Sequence, residues 1–205
     1  MDLIGEQGVG IFLLVMLAVQ GGSMLTLTGR FLQIKPEGQY IVMVENWFNT
    51  AILILFIPLI AVLLITGWYQ RLDLTRVAID IPWLIYGFEV IGMALVICGT
   101  ALIVLGFLAL RSTFQPGGFA PRSHDRLVTW GIFSLVRNPL SAGVLSMALG
   151  VAFMIQSVFV MVLFVIYLIL VLRVLSIEEK QLSEAFAEEY PSYSRKVKRI
   201  VPFIW

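Results

Sequence analysis

Cysteine and histidine are almost missing from this sequence. Cys98 is the only cysteine and His124 is the only histidine among 205 residues. A single cysteine can form no disulfide within the chain and cannot supply a site built from several thiolates. A single histidine also weakens a zinc or haem interpretation, because such sites draw on clusters of these ligands. The sequence therefore predicts no bound metal.

Charged residues are also scarce. They make up 13% of the chain, while 60% of the residues are hydrophobic and the mean hydropathy is +0.95. A soluble domain needs more polar surface than this. The apolar runs are long and unbroken, whereas barrel strands would alternate in segments of about ten residues. The sequence predicts an all-α fold for an integral membrane protein, with residues 1–205 forming one domain.

Four apolar tracts cover residues 8–27, 48–68, 83–110 and 140–172. The first three lie within residues 1–110 and suit single crossings of about 20 residues each. Asp2 and Glu6 precede the first tract, and no basic residue does. A signal peptide has a basic flank at this point, so we expect a retained span.

The fourth tract decides the topology. It contains 33 residues without a charge, and one helix of that length would be about 50 Å long against a hydrocarbon core of about 30 Å. Gln156 and Ser157 lie near its middle and suit a turn. We therefore predict about five transmembrane helices, of which the last two form a tight hairpin. Leu182, Phe186 and Tyr190 form an apolar stripe, which predicts a cytosolic C-terminal helix closed by Pro191.

The distribution of positive charge predicts an orientation. With five crossings and the N-terminus outside, all of the 14 Lys and Arg residues except Arg71 and Arg76 fall on the cytosolic side. Such a bias agrees with the positive-inside rule, so we expect a cytosolic C-terminus. The basic residues within 194–199 suit anionic lipid or loop packing better than nucleic acid, and no nucleic-acid partner is predicted.

A hairpin would bring two polar groups to one membrane face. Asn138 and Pro139 suit the start of a helix, as a capping residue and a first helical residue. Arg137 beside that start could bind a carboxylate or phosphate, although it could also be a simple interfacial anchor. Glu178 and Glu179 lie near Arg173 at the other end of the tract. Carboxylates so close to the membrane boundary are costly unless they are paired or used.

Two signatures in this region resemble those of the isoprenylcysteine carboxyl methyltransferase and phospholipid methyltransferase superfamily. The resemblance covers roughly residues 120–203. The first signature is L-V-T-x-G-x-Y-x-x-x-R-[HN]-P-x-Y-x-G, and it matches at Leu127, Val128, Thr129, Gly131, Arg137, Asn138, Pro139 and Gly143. The second is E-E-x-x-L-x-x-x-F-x-x-E-Y-x-x-Y, followed by R-x-x-P, and it matches at Glu178, Glu179, Leu182, Phe186, Glu189, Tyr190, Tyr193, Arg199 and Pro202.

Three positions depart from the first signature. Phe133 and Ser141 replace two tyrosines, which removes two hydroxyl groups that could contact a ligand. Asn138 stands where the eukaryotic carboxyl methyltransferases have histidine. Asparagine is common there among the prokaryotic members, so the resemblance remains.

The resemblance implies S-adenosylmethionine as the methyl donor and residues 111–205 as the catalytic region. It implies a membrane lipid or lipidated molecule as the methyl acceptor. Arg173 and Glu178 are the predicted catalytic residues, with Glu178 at the donor's cationic part and Arg173 towards the methyl acceptor. The predicted cofactor-binding residues are His124, Leu127, Val128, Gly131, Phe133, Arg137, Asn138, Pro139, Ser141, Glu178 and Glu179.

Two other functions stay open at this point. Membrane sterol reductases share a related C-terminal architecture and use a nicotinamide cofactor, although they are longer. The motifs could also cap helices in a noncatalytic scaffold or small transporter, but no internal repeat supports a transporter built from duplicated halves. Gly21, Gly22 and Ser23 could allow close helix packing, so a monomer and a homo-oligomer are both possible.

Overall fold

The structure is a computed structural model that describes residues 4–29, 40–75, 77, 81–114 and 125–201. Within these ranges the chain forms helices and no strand, which confirms the all-α prediction. Residues Ile52–Phe56 form a π-helical segment that joins the second and third helices into one stretch. The α-helices are α1 Gly5–Thr28, α2 Tyr40–Ala51, α3 Ile57–Ile65, α4 Tyr69–Leu72, α5 Pro82–Leu110, α6 Pro139–Ile155, α7 Val158–Ala185 and α8 Tyr190–Lys196.

Four of the described helical stretches are long and apolar enough to cross a membrane. They are Gly5–Thr28, Tyr40–Ile65, Pro82–Thr113 and Val158–Ala185. Helix α6 is apolar but has only 17 residues, which gives roughly 25 Å of helix, so it crosses only where the bilayer thins. The predicted all-α polytopic membrane fold is confirmed, and α6 and α7 form the predicted hairpin. The fifth crossing, through α6, stays a prediction.

The hairpin between α6 and α7 turns at Gln156, whose backbone is left-handed with φ 57° and ψ 39°. Thr75, in the loop after α4, contacts this turn. Its hydroxyl lies 3.1 Å from that of Ser157. Asp73 in turn accepts hydrogen bonds from the backbone and hydroxyl of Thr75 at 2.9 and 2.7 Å. Burial raises the pKa of Asp73, but hydrogen bonds from Ser157, Tyr69 and Thr75 outweigh it and lower that pKa to about 2. The far end of the hairpin is thus fixed to the loop after α4.

Helices α5 and α6 pack through glycines that recur every seven residues. A Cβ added at Gly99 would lie 2.5 Å from the carbonyl oxygen of Gly143, and one at Gly92 would lie 2.7 Å from that of Gly150. Glycine lets membrane helices approach this closely, and the seven-residue repeat keeps the contact on one face. The packing fixes the start of α6 against the end of α5.

Helix α1 packs against α3 by a similar approach, since a Cβ at Gly10 would lie 2.7 Å from the carbonyl oxygen of Ala61. Gly21 and Gly22 differ, because a Cβ added at either meets no described atom within 4 Å. The close packing predicted at these two glycines is therefore not found between the described helices.

The prediction that Pro191 closes the C-terminal helix is wrong. Helix α7 does continue beyond the apolar tract, but it ends at Ala185, and Pro191 lies in the first turn of α8. Proline is tolerated in the first turn of a helix, because backbone N–H groups there have no acceptor within the helix and the lack of one costs no hydrogen bond. After α8 the chain runs beside the segment that precedes α6, and Val136 pairs with Lys198 in an isolated parallel bridge.

Candidate active site

A cavity of about 320 Å³ lies at the end of the bundle where α2 and α6 begin and α5 ends. Its size is at the lower end of the range for small-molecule sites, about 300 to 1,000 Å³. Residues 125–128, the later part of α7 and helix α8 complete its wall. The polar and charged groups on the wall include Glu45, Asn46, Asn49, Asp125, Arg126, Arg137, Asn138, Ser141, Glu178 and Gln181.

Most of the predicted site residues line this cavity: Leu127, Val128, Phe133, Arg137, Asn138, Pro139, Ser141 and Glu178. Gly131 and Glu179 are not on its wall. Gly131 has a φ of 63° and begins the 3-10 turn Gly131–Ser134, a backbone conformation that favours glycine. Arg173 is exposed and is also not on the wall. His124 lies outside the described residues.

Arg137 is largely engaged within the chain. Its Nε and Nη2 donate to Oε1 of Glu179 at 3.1 and 2.8 Å, and Nη1 donates to the carbonyls of Ser194 and Val197 at 2.5 and 3.2 Å. Arg199 binds the other oxygen of Glu179 at 3.0 Å. The predicted seat for an external carboxylate at Arg137 thus keeps few free donors. This ion triad joins the tail to the start of α6.

Asn138 occupies the N-cap position of α6, but its side chain caps no backbone N–H. The side-chain amide donates instead to the carbonyl of Arg199 at 3.2 Å and to Oε1 of Glu179 at 3.4 Å. The predicted capping role of this side chain is therefore wrong, because a carboxylate and a carbonyl accept its two N–H groups. Pro139 begins the helix as predicted.

One wall of the cavity is aromatic and apolar. Tyr193 donates its hydroxyl hydrogen to the carbonyl of Phe133 at 2.7 Å, which joins α8 to the 3-10 turn. Burial and the nearby Glu179 carboxylate raise the pKa of Tyr190 to about 12, so its hydroxyl stays neutral. The stripe predicted along the tail packs here, in a cluster of Leu127, Leu182, Phe186, Tyr190, Tyr193 and Val197.

The opposite wall comes from α2, which sequence reasoning missed. Asn49 donates to Oε1 of Glu45 at 2.5 Å and accepts from the hydroxyl of Tyr167 on α7. The Tyr167 ring is only 2% exposed and stacks on Phe48 with centroids 5.6 Å apart. The sequence prediction began this span at residue 48, whereas the helical stretch begins at Tyr40. A carboxylate within a membrane helix is a signal of function, and it was available at Glu45.

Residues 88–189 match the sequence model of the phospholipid methyltransferase family. The chain belongs to this family. Membership implies methyltransferase activity in an integral membrane protein. Comparison with curated proteins gave no significant match.

The matched region runs from α5 to the turn before α8 and contains most of the cavity wall. In the sequence, this region is preceded by three residues of the cavity wall, Glu45, Asn46 and Asn49. Helix α2 therefore completes the cavity with residues that the family match does not cover.

Acidic groups outnumber basic ones on the described wall. Glu45, Asp125 and Glu178 face two guanidinium groups, those of Arg126 and Arg137. Glu45 and Glu178 lie close enough to interact electrostatically. Two carboxylates in poorly solvated surroundings repel each other unless a cation lies nearby. The carboxylates of Glu45 and Glu178 therefore favour a ligand that carries positive charge. No group of three or more His, Cys, Asp or Glu in the described ranges is arranged to hold a metal ion.

Proposed function

We propose that this chain transfers a methyl group from S-adenosylmethionine to a membrane-borne lipid or lipidated acceptor. The main support is the cavity, whose wall combines acidic, basic and apolar groups. Most of this wall comes from residues 88–189, the region that matches the family. S-adenosylmethionine has matching parts: a sulfonium and an ammonium group, a carboxylate, and an aromatic base. When bound it would supply a methyl group already activated by the positive sulfur.

Glu178 fits the cationic part of this donor. Its side chain lines the cavity, and none of the described residues donates a hydrogen bond to it. Arg126 lines the same cavity and is more available than Arg137 to the donor's carboxylate. The apolar side chains of Leu127 and Phe133 are suited to cover the base. With these contacts the chain would orient the donor and exclude water, which can supply much of the rate of such a displacement.

The location of the cavity suits a methyl acceptor that arrives from the bilayer. Its walls include α2, α6 and α7, which are apolar helices in the membrane part of the fold. Arg173 is exposed on α7, about one turn and a half before Glu178. We propose that it contacts an anionic group of the acceptor, with the cavity facing the cytosol and the N-terminus outside.

Calorimetric titration of the purified protein with S-adenosylmethionine and with NADPH tests this function. We expect binding of S-adenosylmethionine alone. Binding of NADPH alone would favour a reductase, and binding of neither would favour a scaffold or transporter. Transfer of radiolabel from S-adenosylmethionine into lipid vesicles would then establish catalysis.

A further inference from the structure

We propose that the chain from α8 onward and the segment before α6 form a docking surface for anionic phospholipids. The surface lies at the same end of the bundle as the cavity, since both segments adjoin the start of α6. Three basic and three apolar residues with exposed side chains make up what we call the lipid surface: Arg195, Lys196, Lys198, Trp130, Leu135 and Val201. The surface itself does not depend on the proposed function, whereas its effect on the cavity rests on that function.

The first support is the way the basic stretch of the tail divides. Arg199 is used within the chain, where it binds Glu179 at 3.0 Å. The side chains of Arg195, Lys196 and Lys198 are exposed instead, and no described carboxylate forms an ion pair with any of them. Loop packing thus accounts for Arg199 only. Lys and Arg residues close to a membrane each raise the affinity for an anionic lipid surface roughly fivefold.

The second support is the distance of these charges from the hairpin turn. Pro139, where α6 begins, lies about 25 Å along that helix from the turn, and Ala185, where α7 ends, lies about 42 Å from it. The hydrocarbon core is about 30 Å thick, so the start of α6 lies close to its boundary. Lys198 lies at the same level, because it pairs with Val136. The exposed carboxylates of this region lie farther out, at or just after the end of α7: Glu184, Glu188 and Glu189.

The third support is the exposed apolar side chains beside the basic ones. Trp130, Leu135 and Val201 are 58%, 52% and 42% exposed. Tryptophan is enriched where a membrane meets water. A surface that combines apolar and basic side chains suits the headgroup region of a bilayer. A free anion such as phosphate would leave the three apolar side chains uncovered, so the combination favours an anionic lipid.

The segment before α6 also forms part of the cavity. Phe133, Arg137 and Asn138 line it, and the backbone N–H of Arg137 donates to the carbonyl of Lys198 at 2.8 Å. A membrane that holds the lipid surface would therefore also hold this wall of the cavity. Under the proposed function, anionic lipid should strengthen the binding of S-adenosylmethionine, and the donor should strengthen lipid binding by the same factor.

The first test measures thermal unfolding of the purified full chain in a nonionic detergent with added phospholipid. A ligand that binds only the folded protein raises the Tm. At about 100 times its dissociation constant, phosphatidylglycerol should raise the Tm by about 5 to 10 °C. High salt should weaken this rise, because salt screens exposed charges. Phosphatidylcholine and inorganic phosphate should have much smaller effects.

The test variant combines Lys196→Gln with Lys198→Gln, which removes two charges and leaves the ion triad intact. Its affinity for phosphatidylglycerol should fall about 30-fold. The charge-matched control combines Arg71→Gln with Lys180→Gln and should respond like wild type. Arg71 lies on α4, at the other end of the bundle, and Lys180 is already paired with Glu184. Replacing Lys196 and Lys198 by arginine should preserve the response, which separates charge from folding.

A second readout tests the effect on the cavity. Calorimetric titration with S-adenosylmethionine is carried out on protein in phosphatidylcholine vesicles, with and without phosphatidylglycerol. We expect the wild type to bind at least fivefold more tightly when phosphatidylglycerol is present. The Lys196→Gln, Lys198→Gln variant should show no such difference. Equal affinity of the wild type in both membranes would refute the coupling between the lipid surface and the cavity.

Three outcomes of the unfolding test would overturn the lipid surface. In the first, phosphatidylcholine or inorganic phosphate stabilises the wild type as much as phosphatidylglycerol does. In the second, the test variant responds like wild type. In the third, the control variant loses as much affinity as the test variant. A wild-type protein that binds no S-adenosylmethionine would refute the proposed function, and the unfolding test would still decide the lipid surface.

Discussion

Glu178 and Glu179 are neighbours in the sequence but have different surroundings. Successive helical residues point about 100° apart, so one carboxylate faces the cavity and the other faces the tail. Glu179 binds Arg137 and Arg199, while Glu178 lines the cavity without a described donor. The pair therefore divides into a ligand-binding candidate and a structural residue.

Glu178→Gln should weaken binding of S-adenosylmethionine about tenfold, or about 1.4 kcal/mol, because it removes the negative charge assigned to the donor's cationic part. Calorimetric titration gives the dissociation constant directly. The exposed Glu184 lies on the same helix, and Glu184→Gln should bind like wild type. Equal affinities for all three proteins would contradict the assignment of Glu178.

Glu179→Gln should lower the free energy of unfolding by about 3 kcal/mol, because two guanidinium groups lose their shared carboxylate. The Arg137 and Glu179 side chains are only 14% and 18% exposed, so solvent can compensate little. Denaturant unfolding in detergent measures this loss. Lys180→Gln breaks an exposed ion pair on the same helix and should change stability by less than about 0.5 kcal/mol. A similar small change for Glu179→Gln would show that the triad is not structural.

At the scale of elements, the α5–α6 pair depends on backbone contact. Gly99→Ala should destabilise the protein by about 2 kcal/mol. The new Cβ would clash with the carbonyl oxygen of Gly143, and relieving the clash would require the two helix backbones to move apart. The control is Gly21→Ala, whose Cβ meets no described atom within 4 Å. Thermal unfolding in detergent compares the two variants. If both unfold like wild type, the helices are not packed this closely.

The membrane helices and the hairpin could be predicted from the sequence because they depend on long apolar runs and on length alone. The spacing of Gly92, Gly99, Gly143 and Gly150 was also available, although seven-residue repeats do not identify their partner. The end of α7 could not be predicted, because Pro191 suits either the end of one helix or the start of the next.

The site was harder to predict than the fold. Eight assigned residues reach the cavity because two motifs surround one hairpin. Sequence reasoning could not foresee that Glu179 and two tail carbonyls would occupy Arg137, since these contacts join residues about 42 to 60 positions apart. It also missed Glu45, because an apolar tract was taken to begin after the polar residues of α2.

At the scale of the whole molecule, the prediction of five crossings puts the two ends of the described chain on opposite membrane faces. We expect Leu74, next to the α6–α7 turn, to be outside and Glu188, before α8, to be cytosolic. Single cysteines at these positions, in a Cys98→Ser background, should react with an impermeant thiol reagent from opposite sides of sealed vesicles. Both positions are exposed, with Leu74 at 93%. Labelling from the same side would contradict the five-crossing topology.

The pairing of Val136 with Lys198 affects how the protein is made. Arg137 and Asn138 donate their backbone N–H groups to the carbonyls of Lys198 and Arg199 at 2.8 and 3.2 Å. Lys198 and Arg199 follow α1 to α7 in the sequence, so these two carbonyls are made after all seven helices. The start of α6 can therefore reach its final hydrogen bonds only when the tail is present. A chain truncated after residue 190 would contain α1 to α7 but would lack both carbonyls, so these helices alone are not sufficient for a finished site.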